Sequence, residues 1–277
     1  MVAPSNDHML RMSPLYNAPA DLGASWEGED GEEGLMDRPS SVVTPKRFAQ
    51  GMTFEAYMRY IGTPENLARE AGWWLGTERM DWSVPLRAWY ERLRLTEAQT
   101  AAIRWLVAQP GGPARLLVIS EEWSSDCRRD VPMLSRLADA GGMEMRIFTR
   151  DGQKVGRGPR ADPAASPNAD IVNEFLREQT GQTYQSVPVA VFFTQDFRYL
   201  YHYIELPAIY HKERIAAAMQ ARSPGETREQ KWAAFIRDWG ALQQGPFFPL
   251  WASAAVDEIL SALYERIVVA QPSPVGS

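Results

Sequence analysis

The chain has 277 residues, 45% of them hydrophobic, with 10 Trp, 10 Tyr and 10 Phe, enough apolar material for a substantial core. A net charge of -6 and a pI near 5.3 argue against nucleic acid or an anionic membrane as the main partner. One cysteine in the whole chain excludes a disulfide framework and any Cys-based metal site, and that cysteine usage fits a reducing compartment.

Residues 1–51 read as a disordered acidic tail. Pro, Gly, Ser and Asn recur there, an acidic run passes through Glu27, Glu29, Asp30, Glu32 and Glu33, and no apolar period offsets the entropy of ordering. The start lacks the apolar run of a signal peptide, and no segment reaches the ~18 apolar residues of a membrane span. A soluble, cytoplasmic protein is therefore expected.

Residues 52–112 read as a helical extension. A short helix is expected over 53–60, and Thr63, Pro64 and Glu65 supply an N-cap, a first-turn proline and a carboxylate for a second, with Leu67, Ala71, Trp74 and Leu75 on one face. A third helix starts near Ser83, and Thr96 with Gln99 forms a capping-box pattern for a fourth that carries Ala102, Ile103, Leu106 and Val107. The Pro-Gly-Gly-Pro at 110–113 then ends the helical spacing. The continuous apolar run 116–119 suits a strand buried on both faces.

Beyond it the pattern gives strand 143–149, a loop over 151–167, a helix near 170–178, and two strands, 187–193 and 199–204, joined by a short turn at Gln195 and Asp196. The loop, with Lys154, Arg157 and Arg160, reads as a solvated insertion. It lacks the strand-to-helix setting of a phosphate cradle. Trp232, Phe235, Ile236 and Trp239, and then Val256, Ile259, Leu260, Leu263 and Ile267, form two apolar helical stripes that belong in a core.

At the end of the first strand stand Trp123, Ser124, Ser125, Asp126 and Cys127, with Pro132 five residues after the cysteine and Pro188 before a later apolar strand. This resembles the W-C-x-x-C signature of thioredoxin-like proteins and their cis-proline. It is closest in style to a bacterial W-C-x-D-C type that carries helices ahead of the fold, here with the first cysteine replaced by serine. The resemblance implies an α/β thioredoxin fold, a central mixed sheet flanked by helices, over residues 113–222. Helices at 223–268 pack on it, and 269–277 form a tail.

The resemblance also implies a thiol-disulfide oxidoreductase ancestry, and a groove of Trp123, Ser125, Asp126, Val187 and Pro188 for a protein thiol, a disulfide or a small thiol. The residue before the cis-proline, Val187, would offer its backbone to an extended ligand. Ser124 cannot form a disulfide and no second thiol exists, so a dithiol cycle is absent from this sequence. The acid that such proteins bury beneath the cysteine pair has its counterpart near Val118.

Three readings of the site stay open on the residues alone. Ser124 is a good N-cap and Asp126 favours a helix start, which fits a binding module without turnover, and an introduced Cys-to-Ser change would leave the same sequence. An S-x-x-C fragment also resembles peroxiredoxins, which would make Cys127 a monothiol peroxidase nucleophile aided by Arg128, Arg129 or Arg198. Some glutathione transferases use a helix-start serine, which would make Ser124 the thiolate-stabilising group. Glu121 and Glu122 are expected at the rim. His202 and His211 read as ordinary histidines, and neither a cofactor nor a metal is expected.

Overall fold

The computed structural model describes residues 41–72 and 79–269, all within one compact unit, Ser40–Ser277. The acidic run of the expected tail, Trp74 and Leu75, and residues 270–277 lie outside the described residues.

The helical part begins earlier than residue 52. Helix α1, Pro45–Phe48, is capped by Thr44 and carries the buried Phe48, while Val43 just ahead of it is also in the core. Helix α2, Phe54–Tyr60, is capped by Thr53 and buries Phe54, Tyr57 and Met58. Between them Met52 makes an isolated antiparallel bridge to Ile147.

Helix α3 is a single turn, Pro64–Leu67, with the expected Thr63 cap. The longer helix expected there, reaching Ala71, does not form. The helix stops at Leu67, with Asn66 facing inward from it and Arg69 turned inward just beyond its end, both to polar partners described below. Helices α4, Ser83–Arg92, and α5, Glu97–Val107, follow, and α5 has the full Thr96–Gln99 capping box.

Strand β1, Arg115–Ser120, is central, with Leu116 to Ile119 fully enclosed. It enters α6, Ser125–Gly141, which stops where Gly142 takes a left-handed conformation, φ 66°. Strand β2, Glu144–Thr149, returns parallel to β1. After the loop come α7, Ala169–Glu174, and a small hairpin of β3, Arg177–Gln179, and β4, Gln182–Tyr184. The expected helix is thus cut short. Thr180 and Gly181 both have positive φ and make the tight turn that pairs Gln179 with Gln182.

Strands β5, Val189–Phe193, and β6, Tyr199–Ile204, complete a sheet of order β2-β1-β5-β6, with β5 antiparallel to both neighbours. This is the thioredoxin fold. The C-terminal part adds α8, Lys212–Arg222, α9, Arg228–Gln244, and α10, Phe247–Tyr264, which runs into a π-helical turn, Glu265–Val269.

The two C-terminal stripes differ in depth. Val256, Ile259, Leu260, Leu263 and Ile267 are all buried, whereas on α9 only Phe235 of the four aromatic and aliphatic positions is. Helices α4, α5 and α10 pack around α6, so the helix that bears the cysteine is enclosed by elements from both ends of the chain. Among the described residues no helix is long and apolar enough to cross a membrane.

Candidate active-site turn

Ser124 caps α6. Its Oγ accepts the Cys127 N–H at 3.5 Å, and its own N–H donates to the Glu121 carbonyl at 3.0 Å. Cys127 lies one turn in, 1% exposed, and its Sγ accepts the Glu121 N–H at 3.4 Å. Below it the buried Tyr57 and Ser120 hydroxyls share a hydrogen bond of 3.0 Å, and Val118 is a fully buried apolar residue.

Burial pushes the Cys127 thiol up to about 12. The Glu121 N–H and the Ser120 and Ser124 hydroxyls pull the other way, and Asp126 adds to the rise. Neither nearby arginine hydrogen-bonds the sulfur. Arg128 donates to the Glu122 and Trp123 carbonyls at 3.0 and 2.8 Å and lies 3.8 Å over the Trp82 ring. Arg129 is spent on Asp126 and Asp130 at 2.8 and 2.7 Å. Arg198 is at the other end of the sheet, because β1 pairs Arg115 with Phe193 and Ile119 with Val189, which leaves the β5–β6 turn far from α6.

Glu121 and Glu122 do not line a rim. Both are buried, 0% and 1% exposed. Glu121 accepts from Arg69 Nη2 and the Asp151 N–H, each at 2.7 Å, and from Arg79 Nη1 at 3.2 Å. Glu122 accepts from Asn66 Nδ2 at 3.0 Å and from Arg79 Nη1 at 3.4 Å, and its other oxygen lies 3.0 Å from the same Arg79 nitrogen. Burial pushes the Glu121 carboxyl up to about 7, the Asp151 carboxylate adds to this, and Arg69 and Arg79 oppose it.

The loop after β2 is part of the same network and not merely a solvated insertion. Asp151 and Val155 are buried, and the Gly152 carbonyl accepts from Arg69 Nε at 2.9 Å. Asp151 Oδ2 also accepts the Trp123 Nε1–H at 3.2 Å, with the Arg150 guanidinium 5.1 Å over that indole.

On the opposite side of the turn, Asp126 accepts from Arg129 Nη1 at 2.8 Å and from Lys212. Asp130 accepts from the Tyr203 hydroxyl at 3.0 Å, and burial pushes its carboxyl up to about 6 against Arg129. Glu205 joins this cluster to the proline expected to be cis, Pro188. The Val187–Pro188 peptide is cis, the Pro188 carbonyl accepts the Glu205 N–H at 2.8 Å, and the Glu205 carbonyl accepts from Arg129 Nη2 at 3.0 Å. Against the upward push of burial, Lys212 and Arg177 hold the Glu205 carboxyl down to about 2.

The structure therefore brings together Trp123, Ser124, Ser125, Asp126 and Cys127 in one turn, and Val187 and Pro188 beside it through the β1–β5 ladder. Sequence reasoning missed Asn66, Arg69, Arg79, Glu205 and Lys212, each of which has a partner far along the chain. The one available signal was the pair of carboxylates that directly follows a buried strand. Among the described residues no group of His, Cys, Asp and Glu is arranged to hold a metal ion, and His202 shares a 2.7 Å hydrogen bond with the Tyr199 hydroxyl through Nδ1.

Residues 77–155, which carry α4 to β2 and the whole turn, match a protein-family model described as thioredoxin. No curated protein matches. Among solved structures, a protein of unknown function from Pseudomonas aeruginosa is similar at 16% identity, with 80% of this chain and 97% of that chain covered and a TM-score of 0.42. An HIV epitope-scaffold is similar at 17% identity, with 81% and 98% covered and a TM-score of 0.42.

Proposed function

We propose that this thioredoxin-like chain is a binding protein of the thiol-disulfide oxidoreductase type, holding an extended peptide or a thiol ligand in the groove between Trp123, Ser124 and Val187-Pro188 without disulfide turnover. The observation that carries the reading is at Val187. Val187 is buried, yet among the described residues its backbone N–H and C=O make no hydrogen bond, beside a turn that offers one buried thiol and a serine. Buried backbone groups are seldom left unmatched, and an extended peptide supplies a complementary C=O and N–H.

Turnover fails for a reason of electron count. Reducing a substrate disulfide to two thiols oxidises two protein thiols to a disulfide, and Cys127 alone supplies one sulfur. In an insulin-reduction assay driven by dithiothreitol, the protein should give the uncatalysed rate, and Ser124→Cys should exceed it. Equal rates with and without the substitution, both above the uncatalysed one, would sink the reading.

A further inference from the structure

The C-terminal helices meet the active-site turn at two places, two residues apart. Lys212, the first residue of α8, sets its ammonium on Asp126 and, at 3.1 Å, on Glu205 Oε1. Gln243, near the end of α9, accepts from Arg128 Nη2 at 2.6 Å. Helices α8 and α9 pack on each other as a hairpin, joined through a connection that holds Pro224 and Gly225 and leaving into α10 through Gly245 and Pro246.

This hairpin is anchored more lightly than α10, through the part-buried Ile215, Trp239 and Leu242 against the buried Tyr210, Phe248 and Trp251. Helix α8 buries no residue and α9 buries only Ala234 and Phe235, whereas α10 buries eight, from Phe248 to Leu263. Elements with few buried apolar contacts open at lower free energy than the core they rest on. Its hold on the domain therefore combines that apolar contact with the polar ties at its two roots.

The tie at Lys212 crosses the groove on the outside of the buried Arg129, which donates to Asp126 and to the Glu205 carbonyl. Asp126 belongs to one wall, the Ser124-to-Cys127 turn, and Glu205 to the other, since its N–H is bonded to Pro188. Glu205 holds a left-handed backbone, φ 70°, a conformation that non-glycine residues seldom keep without fixed partners. Both acids also have a second cation, Arg129 for Asp126 and Arg177 for Glu205, each at 2.8 Å. Lys212 can thus leave without stranding an unpaired buried carboxylate, and its side chain is already 22% exposed.

We propose that the α8–α9 hairpin is a cap on the groove, latched by Lys212 across Asp126 and Glu205, and that a ligand reaches the Val187 backbone only when the latch opens. This rests on the groove reading above. It accounts for a groove residue that is enclosed and yet has unmatched backbone groups. The cap is the closed state, and opening uncovers them.

The test places a single thiol at the rim, Ser124→Cys in a Cys127→Ala background, and follows its labelling by iodoacetamide. Lys212→Met should speed labelling roughly tenfold, as expected for loss of a charge-assisted contact, while Lys212→Arg should keep it within about twofold. Labelling of the Met variant within about twofold of its parent overturns the latch.

Should Lys212→Met lose its fold, amide hydrogen exchange with Lys212 intact decides. Helices α8 and α9 must exchange faster than α10, and equal protection of the three overturns the cap. Labelling requires no ligand, so a latch that opens while no extended peptide binds would remove the groove reading and leave the cap standing.

Discussion

The backbone N–H of Glu121 donates to the Sγ of Cys127 across 3.4 Å, fastening the end of β1 to the first turn of α6. The same residue points its carboxylate into a buried cluster of arginines, so the sulfur and the Glu121 network share one piece of backbone. The thiol receives one N–H and two hydroxyls, a modest polar supply for a group from which water is excluded.

The thiol should therefore be unreactive in the native state. With its pKa at about 12, against ~8.5 for an exposed cysteine, its thiolate fraction at pH 8 falls by roughly a thousandfold. Iodoacetamide labelling of the native protein at that pH should be at least ~100-fold slower than in denaturant, and comparable rates would show a thiolate that the burial argument forbids.

The same shift fixes an alkaline trend. The folded pKa is raised, so the native state holds the thiol proton more tightly than the unfolded chain does. That stabilisation is complete below the unfolded value of ~8.5 and is lost as pH rises toward 12. Denaturant titrations should show stability falling between about pH 8.5 and 11, and Cys127→Ala should flatten that fall.

Glu121 gives a second pH dependence in a different window. Its folded carboxyl titrates at about 7 against ~4.3 unfolded, so its stabilising contribution is full below ~4.3 and declines as pH rises through 7. Glu121→Gln removes that titration, and its cost should be larger at pH 5 than at pH 8, by on the order of 3 kcal/mol from the linkage of 1.36 kcal/mol per pKa unit. A pH-independent difference in urea unfolding would contradict the assignment.

The Ser124 cap can be weighed separately from chemistry. Ser124→Ala removes the acceptor for the Cys127 N–H and should cost about 1 kcal/mol, whereas Ser124→Asp should retain most of the stability. Equal denaturation midpoints for the Ala variant and the parent would show that this hydroxyl does not serve as a cap.

Gly72 is fitted to Trp123. A Cβ at position 72 would stand 2.3 Å from Trp123 Cε3, so Gly72→Ala must push the indole aside and stretch its hydrogen bond to Asp151. A loss of ~1–3 kcal/mol, typical of overpacking, and a shifted Trp123 indole N–H resonance are expected. An unmoved resonance would mean that the ring does not depend on this contact.

Local patterns carried much of the architecture. The Thr caps at 63 and 96, the enclosed run from Leu116 to Ile119 and the stripe from Val256 to Ile267 each follow from a few neighbouring residues, because capping and amphipathicity are short-range effects. The tryptophan, serine and cysteine of the turn were legible for the same reason. They are contiguous and sit at a strand-to-helix junction.

Charge placement was decided by tertiary structure. Glu121 and Glu122 looked like rim residues until Asn66, Arg69 and Arg79, from 42 to 56 residues away, enclosed them. A carboxylate can be buried only where hydrogen-bonding cations converge on it, and no local pattern tells which distant arginine will.

The chain alone determined that Cys127 has no thiol partner, since one cysteine cannot become two whatever the fold. Whether that cysteine is exposed, which arginines are free to approach it, and that Lys212 closes the distance between Asp126 and Glu205 depended on long-range packing. Covalent inventory is a property of the sequence, whereas desolvation and ion pairing depend on distance in space.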